Sequence, residues 1–333
     1  MIRVAICGIA LATLLAGCAG LGVTEGPSPV RGKTIVLDPG HGGTADTDSY
    51  RVGPSGEREE WINLRVGLML RDLLEARGAT VIMTRTEDVP VQIAPRGLMA
   101  VESDADLFLS IHHNATADRS VNFPIVYFHG YASENQASVA LGRLVAEEIR
   151  DALFDGEGPV SLVSDHTIFP NSGAGVLRNS YGVPGVLGEA SFFSNADEEQ
   201  RLKGERHNRR EAQAYLAAIE AFFAMPTPPI LEKYSTGRIP PFEVFQEADR
   251  MRPEALNWRA NYESGHAMCQ SETPELQSAL ELLTLSARSF PDSPVARRAH
   301  ADRSRVLYLL GRSEESETEQ ARARELYVNV DEE

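Results

Sequence analysis

The chain has 333 residues, 42% hydrophobic and 24% charged, close enough to globular averages to exclude wholesale disorder and to allow a domain of about 200 residues plus a smaller unit. With 48 acidic against 32 basic residues and a formal net charge of -16, it lacks the basic surface that phosphate neutralisation requires, so no nucleic-acid partner is expected.

At the N-terminus, Arg3 precedes an apolar run from Val4 to Leu15, followed by Ala16, Gly17 and Cys18. This is the charged, apolar and small-residue order of a signal peptide over residues 1–17, too short to span a bilayer as a mature helix. Leu15-Ala16-Gly17-Cys18 resembles the lipobox of bacterial lipoproteins, in which the cysteine becomes the lipidated first residue. The resemblance implies anchoring through Cys18 to a bacterial membrane, facing the periplasm, with the outer membrane preferred. An ordinary secretory signal cut near Ala19 is the alternative, and it also exports the chain. Cys7 leaves with the signal and Cys18 carries lipid, so Cys269 has no disulfide partner. Residues 18–32, rich in Gly and Pro, read as a tether.

From Lys33 short apolar runs alternate with longer amphipathic ones. Thr34 to Leu37 predicts a strand ending in the turn Asp38-Pro39-Gly40-His41-Gly42-Gly43. Glu59 to Arg77 predicts a helix with Trp61, Leu64, Leu68, Leu73 and Leu74 on its apolar face and Gly78 as cap. Strands at 79–83 and 106–111 flank a short helix at 95–102; the second delivers His112 and His113. A strand at 124–128, a helix from Ser133 to Phe154, a loose stretch, a strand at 185–187 leading to Glu189 and one helix at 197–225 complete the region. This alternation predicts an α/β fold with a mostly parallel twisted sheet and helices on both faces. Ligands in such sheets bind beyond the carboxyl ends of strands, where His41, His112 and Glu189 fall.

Four motifs resemble the zinc-dependent α/β amidases that cut N-acetylmuramoyl-L-alanine bonds: Asp38 to Gly43, Glu59 ahead of Asn63-Leu64, Ser110 to Ala115, and Val183 to Glu189. The resemblance implies a catalytic domain over residues 33–225, a Zn2+ cofactor held by His41, Glu59 and His112, and Glu189 as catalytic carboxylate. Glu60 adjoins Glu59, and the family's spacing to Leu64 selects Glu59; an acidic first turn favoured by the helix dipole is the plain structural reading of both. His113 is assigned to the wall of the groove. Arg85 and Arg96 read as ion-paired in the fold, and Arg178 as a residue facing the substrate. The loop from Thr44 to Gly56 departs from the family's compact run, so the groove is expected to have its own shape; Asp155 to Gly175 is too short and broken for an inhibitory helix.

The implied reaction is hydrolysis of the amide between the lactyl group of N-acetylmuramic acid and L-alanine of the stem peptide. Zinc lowers the pKa of a bound water to roughly 7 and polarises the carbonyl, while a carboxylate takes the water proton and returns it to the leaving amine. Two other readings stay open: a zinc peptidase cutting within the stem peptide, and an inactive peptidoglycan-binding lipoprotein scaffold. Residues 226–241, with five prolines, predict a linker, and residues 242–333 a small all-helical unit. Its helices at 271–289, 293–310 and from Ser313 to about Val328 are weakly similar to tetratricopeptide units and could bind a protein partner or simply pack on the enzyme.

Overall fold

A computed structural model describes residues 28–48, 51–246, 250, 253–271 and 273–331. Cys18 and residues 1–27 as a whole, which take in the expected signal peptide and most of the expected tether, lie outside the described residues. No helix among the described residues is long and apolar enough to cross a membrane.

The main elements are β1 (Thr34–Pro39), α1 (Glu59–Ala76), β2 (Thr80–Met83), α2 (Ile93–Glu102), β3 (Leu107–Asn114), β4 (Ile125–Phe128) and α3 (Gln136–Phe154). They continue with β5 (Ser161–Ser164), α4 (Gly175–Asn179), β6 (Gly185–Phe192), α5 (Ala196–Leu202) and α6 (Glu205–Phe223). Beyond the proline-rich segment come α7 (Trp258–Gln270), α8 (Leu276–Ser289), α9 (Ala296–Leu309), α10 (Ser313–Glu325) and β7 (Tyr327–Val328). The sheet order is β2-β1-β3-β6-β4-β5-β7. β2, β1, β3 and β6 are mutually parallel, whereas β4 runs antiparallel to β6, and β7 antiparallel to β5. The α/β class and the mostly parallel sheet expected from the alternation are present.

Side chains alternate across the pleat. Ile35, Leu37, Leu107, Leu109, Ile111 and Val186 face a core shared with α1, α3 and α6. Val36, Phe108, Tyr127, Val163 and Leu187 face the other layer, with α2 and α4 residues beside Trp258, Phe290 and Tyr327. The apolar face of α1 differs from the sequence expectation: Ile62, Val66, Leu70 and Leu74 form the buried stripe at spacing four, while Trp61 is 38% exposed. Periodicity alone left two overlapping stripes, and contact with α6 and the sheet selects one. The helix expected at 197–225 is two, broken at Lys203-Gly204, and Glu198 of the first meets His207 of the second at 3.1 Å.

Residues 226–241, expected as a linker, are held against the α/β region. The segment is pinned by Glu134, whose carbonyl accepts from Leu231 N (2.6 Å) and whose carboxylate accepts from Tyr234 N and Thr236 N (each 3.0 Å). After α10 the chain adds β7 to the sheet, pairing Val163 with Tyr327 and Leu162 with Val328. α7, α8 and α9 keep a small core of their own around Leu283, Ala299 and Val306, but the unit is built into the α/β layer instead of hanging from a free linker.

Candidate active site

Asp38 anchors the first turn. Its buried carboxylate accepts from Thr84 Oγ1 (2.6 Å), Ser110 Oγ (2.7 Å) and Arg96 Nη1 (2.7 Å), tying β1 to β3 and α2. Arg85 donates to the carbonyls of Pro39 (2.8 Å), Gly40 (2.9 Å) and Glu60 (2.7 Å), and Arg96 also donates to that of His41. These arginines shape the turn: Arg96 does so partly through its ion pair with Asp38, and Arg85 through backbone carbonyls. The turn holds His41 at φ +59, in the left-handed region where few side chains are found. A Cβ on Gly40 would stand 2.2 Å from the His112 ring, so only glycine allows the imidazole to approach the turn this closely.

His112 lies inside β3, which runs three residues further than its apolar run indicated, and it faces the same side of the sheet as Ser110 and Phe108. His41 Nε2 and His112 Nδ1 lie 3.1 Å and 3.0 Å from Glu59 Oε1, and their rings meet edge-on at 4.7 Å. One nitrogen or oxygen from each of the three falls within 4.8 Å of the others. Two imidazole nitrogens and a carboxylate oxygen, mostly buried, are the donor set of a catalytic zinc centre with one position left for water, and the residues present fit that ion. Burial pushes the Glu59 carboxyl up, but the charge of His41 and hydrogen bonds from His112 and His41 outweigh it and hold the group well below the usual carboxylate range. Burial lowers the pKa of His112 against the pull of Glu59, favouring the neutral form that ligates metal.

Glu59 and Glu60 part company at the first turn of α1. Glu60 turns away to Arg58 Nε (2.7 Å) and Thr44 Oγ1 (3.2 Å), while Glu59 is held toward the histidines by Asn63 Nδ2 (3.2 Å). Asn63 Nδ2 also donates to the Gly40 carbonyl (3.3 Å), its Oδ1 meets His113 Nδ1 at 2.9 Å, and His113 Nε2 meets Glu211 Oε2 at 3.0 Å. His113 is therefore a buried strut between α1 and α6, 1% exposed, and does not line the groove. Arg178 donates to the carbonyls of Ser172 (3.0 Å) and Gly173 (3.2 Å), so it braces its own loop.

Glu189 sits in β6 opposite His112 in the parallel register and opposite Ile125 of β4. Its Oε2 is buried with no hydrogen-bond partner among the described residues. Burial, then the charges of Glu59 and Asp292, push its carboxyl well above the usual range, against the opposing pull of Arg51 and Arg250. A carboxylate with an open oxygen and a raised pKa is suited to accept a proton and give it back.

Two neighbours carried no sequence signal. Arg51, in the divergent loop, has its Nε 3.2 Å from His41 Nε2 and 3.5 Å from Glu59 Oε2. Asp292, from the turn between α8 and α9, accepts from Tyr127 Oη and from Arg250 Nη2 (2.6 Å).

Residues 35–221 match the family model described as N-acetylmuramoyl-L-alanine amidase. The chain is 31% identical over 219 residues to the Bacillus subtilis (strain 168) protein YqiI, covering 66% of this chain and 95% of that one. It is likewise 31% identical over 201 residues to the probable cell wall amidase LytH of Staphylococcus aureus, covering 60% of this chain but only 62% of the relative's length. The structure of the N-acetylmuramoyl-L-alanine amidase AmiC2 of Nostoc punctiforme superposes with a TM-score of 0.50 at 25% identity, covering 58% of this chain and 98% of that one. The match takes in more than half of the chain and all four residues around which the site is built, and on that ground the protein belongs to the N-acetylmuramoyl-L-alanine amidase family and is a cell-wall amidase.

Proposed function

We propose that the protein hydrolyses the amide joining the lactyl group of N-acetylmuramic acid to L-alanine of the peptidoglycan stem peptide, using His41, Glu59 and His112 to hold zinc and Glu189 as the proton carrier. The observation that carries this reading is the placement of Glu189, with its unpartnered Oε2, directly across the register from His112, one of three metal-capable side chains gathered within 4.8 Å. Zinc bound there supplies Lewis acidity toward a water and an amide carbonyl. Asn63 and the turn at residues 38–43 fix the ligands. Glu189 Oε2 removes a proton from the attacking water and delivers it to the departing amine of L-alanine, so that the site ends in its starting protonation state. The guanidinium of Arg51, 3.5 Å from Glu59 Oε2, would add positive charge beside the centre.

Export and anchoring through lipidated Cys18, facing the periplasm, complete the proposal and rest on the lipobox-like string alone. The test of the reaction is mass analysis of products after the full chain, with Zn2+, is incubated with purified peptidoglycan. Free stem peptides beginning in L-alanine are expected. Fragments cut inside the stem peptide would replace the reading with a peptidase, and intact peptidoglycan retained by a zinc-loaded protein would replace it with a scaffold.

A further inference from the structure

We propose that His129, Asp165 and His166 form a second, structural site for a divalent transition metal, zinc by its donor set, at the end of the sheet opposite the amidase centre. His129 is the first residue after β4, and Asp165 and His166 are the first two after β5. These strands are parallel neighbours with Phe128 opposite Ser164, so the chain delivers the three side chains side by side. Because β4 runs antiparallel to β6, its carboxyl end lies at the entry of β6 and away from Glu189.

The three residues are 3%, 0% and 9% exposed, and one nitrogen or oxygen of each lies within 4.8 Å of the others. Asp165 Oδ2 meets His129 Nδ1 at 2.8 Å and accepts from Ala174 N at 2.7 Å. Its other oxygen, Oδ1, is fully buried and has no hydrogen-bond partner among the described residues. A buried carboxylate oxygen left unpaired carries an uncompensated desolvation cost, and a cation shared with two imidazoles removes that cost. The His166 ring meets the Pro170 carbonyl through Nδ1 at 3.4 Å and lies 5.4 Å from the ring of His129, beside the carboxylate. The spacing repeats that of the amidase centre: histidine nitrogen to carboxylate oxygen at 2.8 Å here and 3.0 Å to 3.1 Å there.

The surroundings are those of a closed site. Tyr181 packs edge-on to His129 at 5.6 Å and Tyr131 lies 6.3 Å from His166, so aromatic rings shield the group. Gly173, at φ +65, passes so close that a Cβ there would stand 2.6 Å from both Asp165 carboxylate oxygens and from His129 Nδ1. Two histidines and one aspartate suit zinc better than calcium or magnesium, which prefer oxygen ligands. The role is mechanical: beside the site Ser164 N donates to the Leu326 carbonyl at 2.8 Å, so a metal here stiffens the strand ends onto which the C-terminal segment docks.

The test measures zinc per chain by elemental mass spectrometry on the dialysed full chain, for the wild type, His112→Ala, Asp165→Asn and the double variant. Two, one, one and no ions are expected, in that order, and zinc should raise the melting temperature of His112→Ala by several degrees while leaving the double variant unmoved. His129→Gln and His166→Gln, measured separately, guard against an Asp165→Asn chain that does not fold. Zinc that survives His112→Ala and is lost in the second-site variants supports the proposal even if the amidase assignment fails. A single ion abolished by His112→Ala, with no melting shift in that variant, overturns it and leaves an Asp–His pair alone.

Discussion

Glu59 and Glu60 are neighbours of identical chemistry, and the fold gives them opposite duties through their partners. Glu60 is neutralised by Arg58, whereas Glu59 is turned inward by Asn63 and faces two imidazoles. The same separation of roles applies to the metal group and Glu189. Glu189→Gln keeps the side chain's size but cannot accept a proton, so it should retain zinc while losing on the order of 100- to 10,000-fold in turnover. His112→Ala removes one ligand of three and should lose zinc from the amidase centre as well as activity. Zinc content and stem-peptide release measured side by side check both, and near wild-type cleavage by Glu189→Gln would overturn the assignment of the base.

At the scale of elements, the turn between α8 and α9 brings Asp292 into the electrostatic surroundings of Glu189. The Asp292 charge raises the Glu189 pKa, and a base works only when deprotonated, so the acid limb of the pH–rate profile should lie above the ordinary carboxylate range. Asp292→Asn, which can still bond Tyr127, should move that limb to lower pH; an unmoved limb would remove Asp292 from the chemistry. The junction of α5 and α6 makes a second pH-dependent claim. Glu198, 1% exposed, is pushed up by burial but pulled down more strongly by His207 and Arg201, to a pKa of about 2 from 4.5. A depressed carboxyl pKa stabilises the fold above the unfolded value and loses that contribution as pH falls from 4.5 toward 2. Its size is on the order of 3 kcal/mol, so the gap in unfolding free energy between wild type and Glu198→Gln should narrow across that window.

For the whole molecule, the C-terminal helices complete a layer that the α/β region cannot cover alone. Phe290 packs with Phe123, Phe192 and Trp258 over the sheet face that carries His112 and Glu189. Removing Trp258, Phe290, Leu326 and Tyr327 forfeits roughly 6–12 kcal/mol at about 1.5–3 kcal/mol per buried side chain, comparable with the roughly 5–15 kcal/mol that hold a domain together. It also uncovers the edge of β5. A chain truncated after Pro241 should therefore aggregate or melt without a cooperative transition, as circular dichroism would show; a soluble, cooperatively folded fragment would restore a separable second domain. At the other end, Cys18→Ser should abolish labelling by radioactive palmitate and release the protein from membranes, and a wild-type chain that takes up no label has no lipid anchor.

His41, His112 and Glu189 could be singled out in the amino-acid sequence because each belongs to a short local pattern, a glycine-rich turn after an apolar run or the end of a buried strand, whereas only the family resemblance chose Glu59 over Glu60. The parallel α/β class was legible for the same reason, since strand and helix periods are properties of neighbouring residues. β5 was not, because Ser161-Leu162-Val163-Ser164 is too short an apolar run to mark a strand until β4 pairs with it. β7, two residues long, exists only through its bonds to β5. The buried face of α1, the inward turn of Glu59, the burial of His113 against Glu211 and the approach of Asp292 to Glu189 were decided by tertiary structure alone. Each depends on partners distant in the chain, and a side chain's direction, charge partner and pKa are set by what the fold packs against it.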